Sequence, residues 1–371
     1  MLTRSYKRSL LLGSILLLVA FYILSTRPRL NTFNGRIMGT TYSVTYVSTM
    51  FSNPVRNISV AVHQALESVD GRFSTYKRDS ELMQINAAPV NKPFKVSEPF
   101  MQLVLEAQCL SEISEGAYDI TVGGLVNLWG FGPAQWEQRD KNTLHKSDEK
   151  PVDSPEFVQW IINNYPGAVP TQEEIDAVRA KVGYRNLVID EKNSTITKLK
   201  PVFIDLNSIA KGFGVDVAGA TLRDLGINDY MVEVGGEVLV NGRKPDNQLW
   251  RLAVIGPEMG HGGVSAIVEP GDRALATSGD YLNFFEIDNQ RYSHTINPAS
   301  GWPEAKRVAE VAVITETVSM ADAMATMFMA LGDEKGLALA NREGIAARFA
   351  YYSDEGYTTV TSEAFKPFLV Q

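Results

Sequence analysis

Residues 205–242 read DLNSIAKGFGVDVAGATLRDLGINDYMVEVGGEVLVNG, and this stretch decides the fold class. Its first part predicts a loop and then a helix that ends near Gly226. Its second part, MVEVGGEVLVNG, and the segment LWRLAVIGP at 249–257 predict paired strands. A helix that leads into paired strands favours an α+β fold, with mixed, largely antiparallel sheets packed against helices, over a doubly wound parallel sheet.

The elements on either side of this stretch agree with that fold class. The string GRIMGTTYSVTYV at 35–47 predicts a strand, and RFAYYSDEGYTTV at 348–360 predicts a strand pair that turns at 354–356. Apolar periodicity and helix caps predict helices over 57–70, 99–114, 171–181 and 320–331. Further strands are expected around Asp190, Val202, Ala274, Phe284 and Val311. Helices and hairpins therefore alternate irregularly along the whole chain.

The composition is that of an ordinary globular protein and excludes several functional classes. The 371 residues include 35 Lys plus Arg and 43 Asp plus Glu, which gives a formal net charge of −8. Because the balance is acidic and no long basic run follows residue 30, nucleic acid is not expected as a partner. The single cysteine, Cys109, excludes an internal disulfide and a cysteine-rich metal site.

The first 28 residues form a separate segment. Three cations within the first eight residues precede an apolar run from Leu10 to Leu24, which is the pattern of an export signal or a membrane anchor. The run falls short of the roughly 20 residues that span a bilayer comfortably, so its length leaves both interpretations open. No Ala-x-Ala-type site and no cysteine follows it, which favours an uncleaved anchor. We therefore predict an anchor or signal at 1–28 and a folded domain at 29–371 outside the cytoplasmic membrane.

The pair Asp322 and Thr326 is a candidate metal site. The two residues are four apart on a predicted helix, so both oxygens lie on one face, and such ligands suit Mg²⁺, which also binds substrate phosphates. Spacing alone favours a simpler alternative, in which Asp322 interacts with the helix dipole and Thr326 is merely buried. Because most neighbours are Ala, Met and Phe, Asp322 requires a partner, which weakens that alternative.

Two further segments carry candidate chemistry. In VFIDLNSIAKGFGVD, residues 202–216, the side chains of Asp205, Ser208 and Lys211 suit a polar ligand head group, although no phosphate-binding glycine motif is present. The alternative is that Asp205 or Ser208 caps the following helix. In RYSHTINPASGWP, His294 is a candidate general base, although an isolated histidine beside a turn is more often structural.

Eight segments in this order resemble the FAD:protein FMN transferase (ApbE) family. They are MGTTYSV at 38–44, FSTYKRDSEL at 73–82, GAYDITVGGLVNLWGFG at 116–132, IDLNSIAKGFGVD at 204–216, VEVGGE at 232–237, ATSGDY at 276–281, SHTINPASG at 293–301 and SMADAMATMFMALG at 319–332. The resemblance runs from about Gly35 to the C-terminus and implies an ApbE or T-fold-like catalytic domain.

The resemblance implies an enzyme that cleaves FAD with Mg²⁺, attaches FMN through a phosphoester to a threonine or serine of an acceptor protein, and releases AMP. It also implies acceptor flavoproteins with a Ser/Thr-Gly-Ala-Thr type motif, such as redox-complex subunits. The N-terminal segment predicts a location at the bacterial inner membrane, with the catalytic domain on the periplasmic or extracytoplasmic side. Two alternatives remain: the first would use the same residues, and the second would not need Asp322. One is a Mg²⁺-dependent FAD pyrophosphatase that yields FMN and AMP, and the other is a flavin-binding protein without turnover.

The resemblance also assigns roles to individual residues. It implies metal ligands at Ser208, Asp322 and Thr326, and catalytic roles for His294 and Asp322. It implies contacts with FAD at Met38, Tyr76, Ala117, Tyr118, Asp119, Asp205, Lys211 and Ile296. The polar stretch at about 137–167 is longer than the compact family pattern, so we interpret it as an insertion.

Overall fold

The computed structural model describes residues 14–15, 17–19, 22, 25–49, 55–132, 169–257, 263–280, 284–287, 290–303, 308–353 and 356–370. The helices are α1 (Val55–Phe73), α2 (Glu81–Ala87), α3 (Glu98–Ile113), α4 (Gly123–Leu128), α5 (Gln172–Arg179), α6 (Asn207–Asp224), α7 (Val318–Leu331) and α8 (Asp333–Arg342). The strands are β1 (Arg29–Ile37), β2 (Thr40–Ser48), β3 (Pro93–Lys95), β4 (Leu187–Asp190), β5 (Thr195–Lys198), β6 (Tyr230–Val234), β7 (Glu237–Asn241), β8 (Leu252–Gly256), β9 (Gly263–Val268), β10 (Ala274–Gly279), β11 (Phe284–Ile287), β12 (Gln290–Ser293), β13 (Val308–Thr315), β14 (Ala346–Ser353) and β15 (Gly356–Thr361).

An eight-stranded antiparallel sheet organises the domain. Its strand order is β1-β2-β6-β7-β10-β13-β14-β15, and every neighbouring pair is antiparallel. Smaller antiparallel sheets form from β3-β5-β4, β8-β9 and β11-β12. The predicted α+β class with antiparallel sheets is thus confirmed.

The two faces of the main sheet pack against different elements. On one face, Ala274 and Ala276 of β10 pack in a core with residues of α1, α6 and α7. On the other face, Leu275 of β10 and Ala312 of β13 pack against β8 and β9 and the C-terminal Phe365. Alternate residues of one strand thus serve opposite cores, as the two-residue period of a strand requires. The helical face is the one that carries the candidate site.

Three local predictions need correction. The stretch 35–47 is the turn and second strand of a hairpin, because Met38 and Gly39 adopt φ of 53° and 73° and reverse the chain. MVEVGGEVLVNG forms a hairpin by itself, and the segment at 249–257 contributes β8, which pairs with β9 instead. Val202 lies outside the strands, and its neighbour Phe203 makes an isolated parallel bridge to Val122.

The remaining elements agree with the sequence where the structure describes them. The four predicted long helices correspond to α1, α3, α5 and α7, and α5 begins with the expected capping box of Thr171 and Glu174. The predicted insertion at 137–167 and the turn residues 354–355 lie outside the described residues. In the described part of the chain, no helix has the length and apolarity that a membrane crossing needs. The anchor at 1–28 therefore stays a prediction.

Candidate functional site

The crossing of α6 and α7 places the central carboxylate of the site. The two helices approach so closely that a Cβ on Gly212 would lie 2.6 Å from the carbonyl carbon of Val318 and 2.8 Å from the nitrogen of Ser319. At this crossing the backbone N–H of Gly212 donates to Oδ2 of Asp322 at 3.0 Å. Both carboxylate oxygens of Asp216 accept from the first N–H groups of α7, those of Val318 at 2.8 Å and Ser319 at 2.9 Å. Since these groups are otherwise unpaired at a helix start, Asp216 fixes where α7 begins.

Asp322 belongs to a buried charged cluster with Lys211 and Glu237. The Lys211 ammonium lies 2.5 Å from Oε1 of Glu237 and 3.9 Å from Oδ1 of Asp322, and both carboxylates are almost fully buried. Burial raises the pKa of Asp322, and burial together with the charge of Asp322 raises the pKa of Glu237, whereas the Lys211 ammonium favours the ionised form of both carboxylates. Burial alone would lower the pKa of Lys211, but the two carboxylates raise it to about 12. Two carboxylates against one ammonium leave this cluster one positive charge short.

The two hydroxyl residues predicted as metal ligands also have defined partners. Thr326 lies one turn after Asp322 on α7, and its Oγ1 is 3.3 Å from Oγ of Ser278 on β10. Ser208 lies one turn before Gly212 on α6, and its Oγ is 3.0 Å from the Tyr118 hydroxyl. Burial, followed by the charges of Asp322 and Asp205, raises the pKa of Tyr118, so this hydroxyl keeps its proton.

These donors fit a hard divalent cation. Among the described residues, no group of three or more His, Cys, Asp or Glu side chains could form a metal cage. Mg²⁺ does not require one, because it is usually bound through one or two carboxylates together with waters and substrate phosphates. Asp322 offers a buried carboxylate in a cluster that lacks positive charge, and Ser208 and Thr326 offer hydroxyl oxygens from the two crossing helices.

The predicted FAD-contact residues at 117–119 lie beside the start of α6. The Asp205 N–H donates to the Ile120 carbonyl at 2.7 Å, and Oδ1 of Asp205 accepts from the Asn207 N–H at 2.8 Å. Ala117 is half-buried and Tyr118 is buried. The carboxylate of Asp119 is fully used within the fold, since Oδ1 accepts from Thr121 and Oδ2 accepts from the Tyr184 N–H at 2.7 Å.

Tyr76 and Met38 are held on turns. Tyr76 is 61% exposed, and loss of hydration, followed by the charge of Asp205, raises the pKa of its hydroxyl. Its N–H donates to Oγ of Ser74 at 3.2 Å. Met38 occupies the β1–β2 turn with a φ of 53°, packed toward Gly214 of α6. An exposed aromatic ring is suited to stacking on a planar ligand.

His294 and Ile296 belong to a second cluster. Ile296 is buried with Trp129 and Tyr292, and the Trp129 indole N–H donates to the Gly301 carbonyl at 2.8 Å. The His294 ring lies edge-on to Phe131, with 6.3 Å between ring centroids. The contacts of Trp129 and Phe131 thus join the segment 294–302 to the end of α4.

The sequence did not predict a role in the site for two acidic residues, Glu237 on β7 and Asp216 on α6. Glu237 lies within VEVGGE and Asp216 within IDLNSIAKGFGVD, and neither motif by itself indicates a role for its acidic residue. An acidic residue directly after a Gly-Gly turn, in a strand otherwise apolar, is the signal that could have indicated Glu237. Asp216 lies four residues after Gly212 on α6, so helical spacing puts it on the face that meets α7.

Comparisons with known proteins agree with one another. The sequence model of the ApbE family matches residues 38–349. A Vibrio cholerae protein named FAD:protein FMN transferase is 39% identical over 336 residues, which are 91% of this chain and 92% of the relative. A Haemophilus influenzae protein of the same name is 34% identical over 342 residues, 90% of each chain.

Solved structures give the same result. The flavin transferase ApbE from Vibrio cholerae superposes with a TM-score of 0.78 at 37% identity, covering 92% of this chain and 100% of that one. The apo form of the Pseudomonas stutzeri flavinyl transferase ApbE superposes with a TM-score of 0.77 at 36% identity, covering 92% of this chain and 97% of that one.

Proposed function

The chain belongs to the ApbE family of flavin transferases, and we propose that it uses Mg²⁺ to cleave FAD, attaches FMN through a phosphoester to a threonine or serine of an acceptor protein, and releases AMP. The observation that carries the proposal is the α6–α7 crossing. There the Gly212 N–H fixes a buried Asp322, beside Lys211 and one turn from Thr326. A site short of positive charge, rich in hard oxygen donors, is suited to phosphate chemistry in the presence of a divalent cation.

In this proposal each residue has a defined task. Ser208, Asp322 and Thr326 would hold Mg²⁺, which would supply positive charge to the FAD pyrophosphate. His294 takes the proton from the acceptor hydroxyl as its oxygen attacks the FMN phosphorus, and the bond from that phosphorus to the AMP oxygen breaks. The two phosphorus–oxygen bonds exchange, so no oxidant or reductant is needed.

The FAD contacts divide between ring packing and polar groups. Tyr76 and Met38 offer apolar surface to a ring, and Ile296 lines the second cluster. Lys211 and Asp205 offer charge at the α6 end of the site. Because both oxygens of Asp119 are already hydrogen-bonded, the 117–119 loop would contribute to FAD binding through its backbone and through Tyr118.

The test is mass spectrometry of an acceptor with a Ser/Thr-Gly-Ala-Thr type motif after incubation with the protein, FAD and Mg²⁺, alongside AMP detection. Addition of one FMN to a threonine, together with AMP, supports the transferase. AMP without a modified acceptor supports the pyrophosphatase, and neither product supports a binding protein without turnover.

Variants connect this test to the α6–α7 crossing. Asp322→Ala should abolish transfer while the protein remains folded, and Asp224→Ala, which removes an exposed carboxylate at the end of α6, should leave transfer unchanged. Undiminished transfer by the Asp322 variant would contradict the metal assignment.

We also propose that residues 1–28 anchor the enzyme in the inner membrane, with the catalytic domain facing the periplasm. The basic start and the apolar run at 10–24 support this location. Redox subunits at the same membrane are the acceptors that it would reach. Protease added to intact spheroplasts should digest the domain, and complete protection would contradict the periplasmic orientation.

A further inference from the structure

Glu237 occupies a position that the proposed chemistry does not yet use. It is the first residue of β7, directly after Gly235 and Gly236, which reverse the chain with φ of 62° and 104°. The residue is only 2% exposed, and its Oε1 lies 2.5 Å from the Lys211 ammonium. Its Oε2 is buried and accepts no hydrogen bond from the described residues. Lys211 is thus the hydrogen-bonded partner seen for this carboxylate in the described part of the chain.

One carboxylate oxygen of Asp322 accepts a hydrogen bond, and the other faces the Lys211 ammonium without a hydrogen bond to it. Oδ2 accepts the Gly212 N–H at 3.0 Å, whereas Oδ1 faces the Lys211 ammonium at 3.9 Å, beyond hydrogen-bond distance. Oδ1 is therefore the oxygen that a divalent cation would use. An ammonium that moved about 1 Å closer would form a direct hydrogen bond to this oxygen and compete with the cation.

Lysine can make that movement, because its charge sits on a flexible four-carbon stem. The Lys211 side chain is 34% exposed, so the fold leaves it room. The carboxylate that holds the ammonium away from Asp322 is Glu237, and the Gly-Gly turn fixes where that carboxylate lies.

We propose that Glu237 is a positioning residue that restrains the Lys211 ammonium and so keeps Oδ1 of Asp322 open to a divalent cation. The inference rests on the proposed metal site. It adds a residue that acts through Lys211 and predicts that the two side chains are coupled in metal binding.

A double-mutant cycle tests this coupling without relying on turnover. Binding of Mn²⁺ alone to the full-length protein, in the absence of FAD, is followed by electron paramagnetic resonance, with Mg²⁺ competition. In Glu237→Gln the neutral amide holds the ammonium less firmly, so Lys211 closes onto Asp322, and Mn²⁺ affinity should fall about tenfold, within the usual range of coupling energies for residues in contact. When Lys211 is already replaced by Met, adding Glu237→Gln should change the affinity by less than about threefold.

The matched control is Glu233→Gln in the same hairpin. Glu233 accepts the Gly236 N–H at 2.7 Å, so this variant also removes one negative charge beside the turn. It should bind Mn²⁺ within about twofold of the wild type, because Glu233 is only half-buried and has no ion pair with Lys211 among the described residues. Circular dichroism of each variant verifies that the fold is retained.

The possible outcomes separate this proposal from the proposed function. If the wild type binds Mn²⁺ and releases AMP while Glu237→Gln binds as tightly, the restraint is overturned and the transferase stands. An equal loss of affinity in the Lys211 and Lys211→Met backgrounds also overturns it, because the effect of Glu237 would then not act through Lys211. A wild type that neither binds Mn²⁺ nor releases AMP overturns both.

Discussion

Replacement of Gly212 by alanine tests whether the close approach of α6 and α7 holds the site together. The added Cβ would meet the backbone of Val318 and Ser319, 2.6 Å from the carbonyl carbon and 2.8 Å from the nitrogen. Backbone atoms cannot turn away as a flexible side chain can, so the helices must separate by several tenths of an ångström. The Gly212 N–H would then move away from Oδ2 of Asp322, to which it donates at 3.0 Å.

The expected cost follows from three contributions. Alanine is favoured over glycine in a helix interior by about 1 kcal/mol. Overpacking a tight core costs about 1–3 kcal/mol, and weakening a hydrogen bond to a buried carboxylate costs about 1.5–3 kcal/mol. The net loss in the free energy of unfolding should therefore be about 1.5–5 kcal/mol.

The assay is urea unfolding, with Gly214→Ala as the matched control. A Cβ on Gly214 would meet the sulfur of Met38 at 3.3 Å and a methyl group of Leu66 at 3.5 Å, both ends of movable side chains. That variant should change stability by less than about 1 kcal/mol and keep its metal affinity. Equal stability and equal Mn²⁺ binding in the two variants would refute the view that the helix crossing positions Asp322.

Three further predictions concern Asp216, His294 and Trp129. Burial raises the pKa of Asp216 from 3.8 to about 6, so its contribution to stability is greatest below pH 4 and is lost as the pH rises through 6. The free energy of unfolding of the wild type minus that of Asp216→Asn should fall by about 2–3 kcal/mol between pH 4 and pH 7, and a constant difference would contradict this. His294→Ala should lower the transfer rate more than FAD affinity in stopped-flow and equilibrium titrations, whereas an unchanged rate would leave the histidine a structural role. Trp129→Phe removes the indole donor to the Gly301 carbonyl and should lower the urea midpoint by an amount equivalent to about 1–3 kcal/mol, and an unchanged midpoint would show that this bond does not stabilise the fold.

Local pattern was sufficient for the long helices but not for strand pairing. α1 was predictable because Ile58, Val62, Leu66 and Val69 recur with helical spacing. The turn at Met38 was not predicted because Thr, Tyr and Val dominate the stretch 35–47 and favour one strand, and Gly39 alone does not separate a turn from a strand interior. The segment that forms β8 was assigned to the preceding hairpin, whereas its real partner β9 follows it, and pairing depends on the core under the main sheet.

The candidate site likewise contains some residues that local sequence pattern predicts and others that it does not. Asp322 and Thr326 were predictable as a pair because an interval of four residues places them on one helix face. Glu237 was not, because its partner Lys211 lies on another element and no local pattern records that contact. The sequence supplies the chemical groups, and their pairing is set by tertiary structure.

The crossing of α6 and α7 also has a consequence for when the enzyme becomes competent during its synthesis. The bonds from Asp216 to Val318 and from Gly212 to Asp322 join residues that are 102 and 110 positions apart. Contacts of such long sequence separation form late, because a long loop must close before they contribute. A nascent chain that ends before α7 has the lysine and the glutamate but lacks the aspartate between the helices. Assembly of this centre therefore requires that α7, which begins only at residue 318, has been synthesised and has packed against α6.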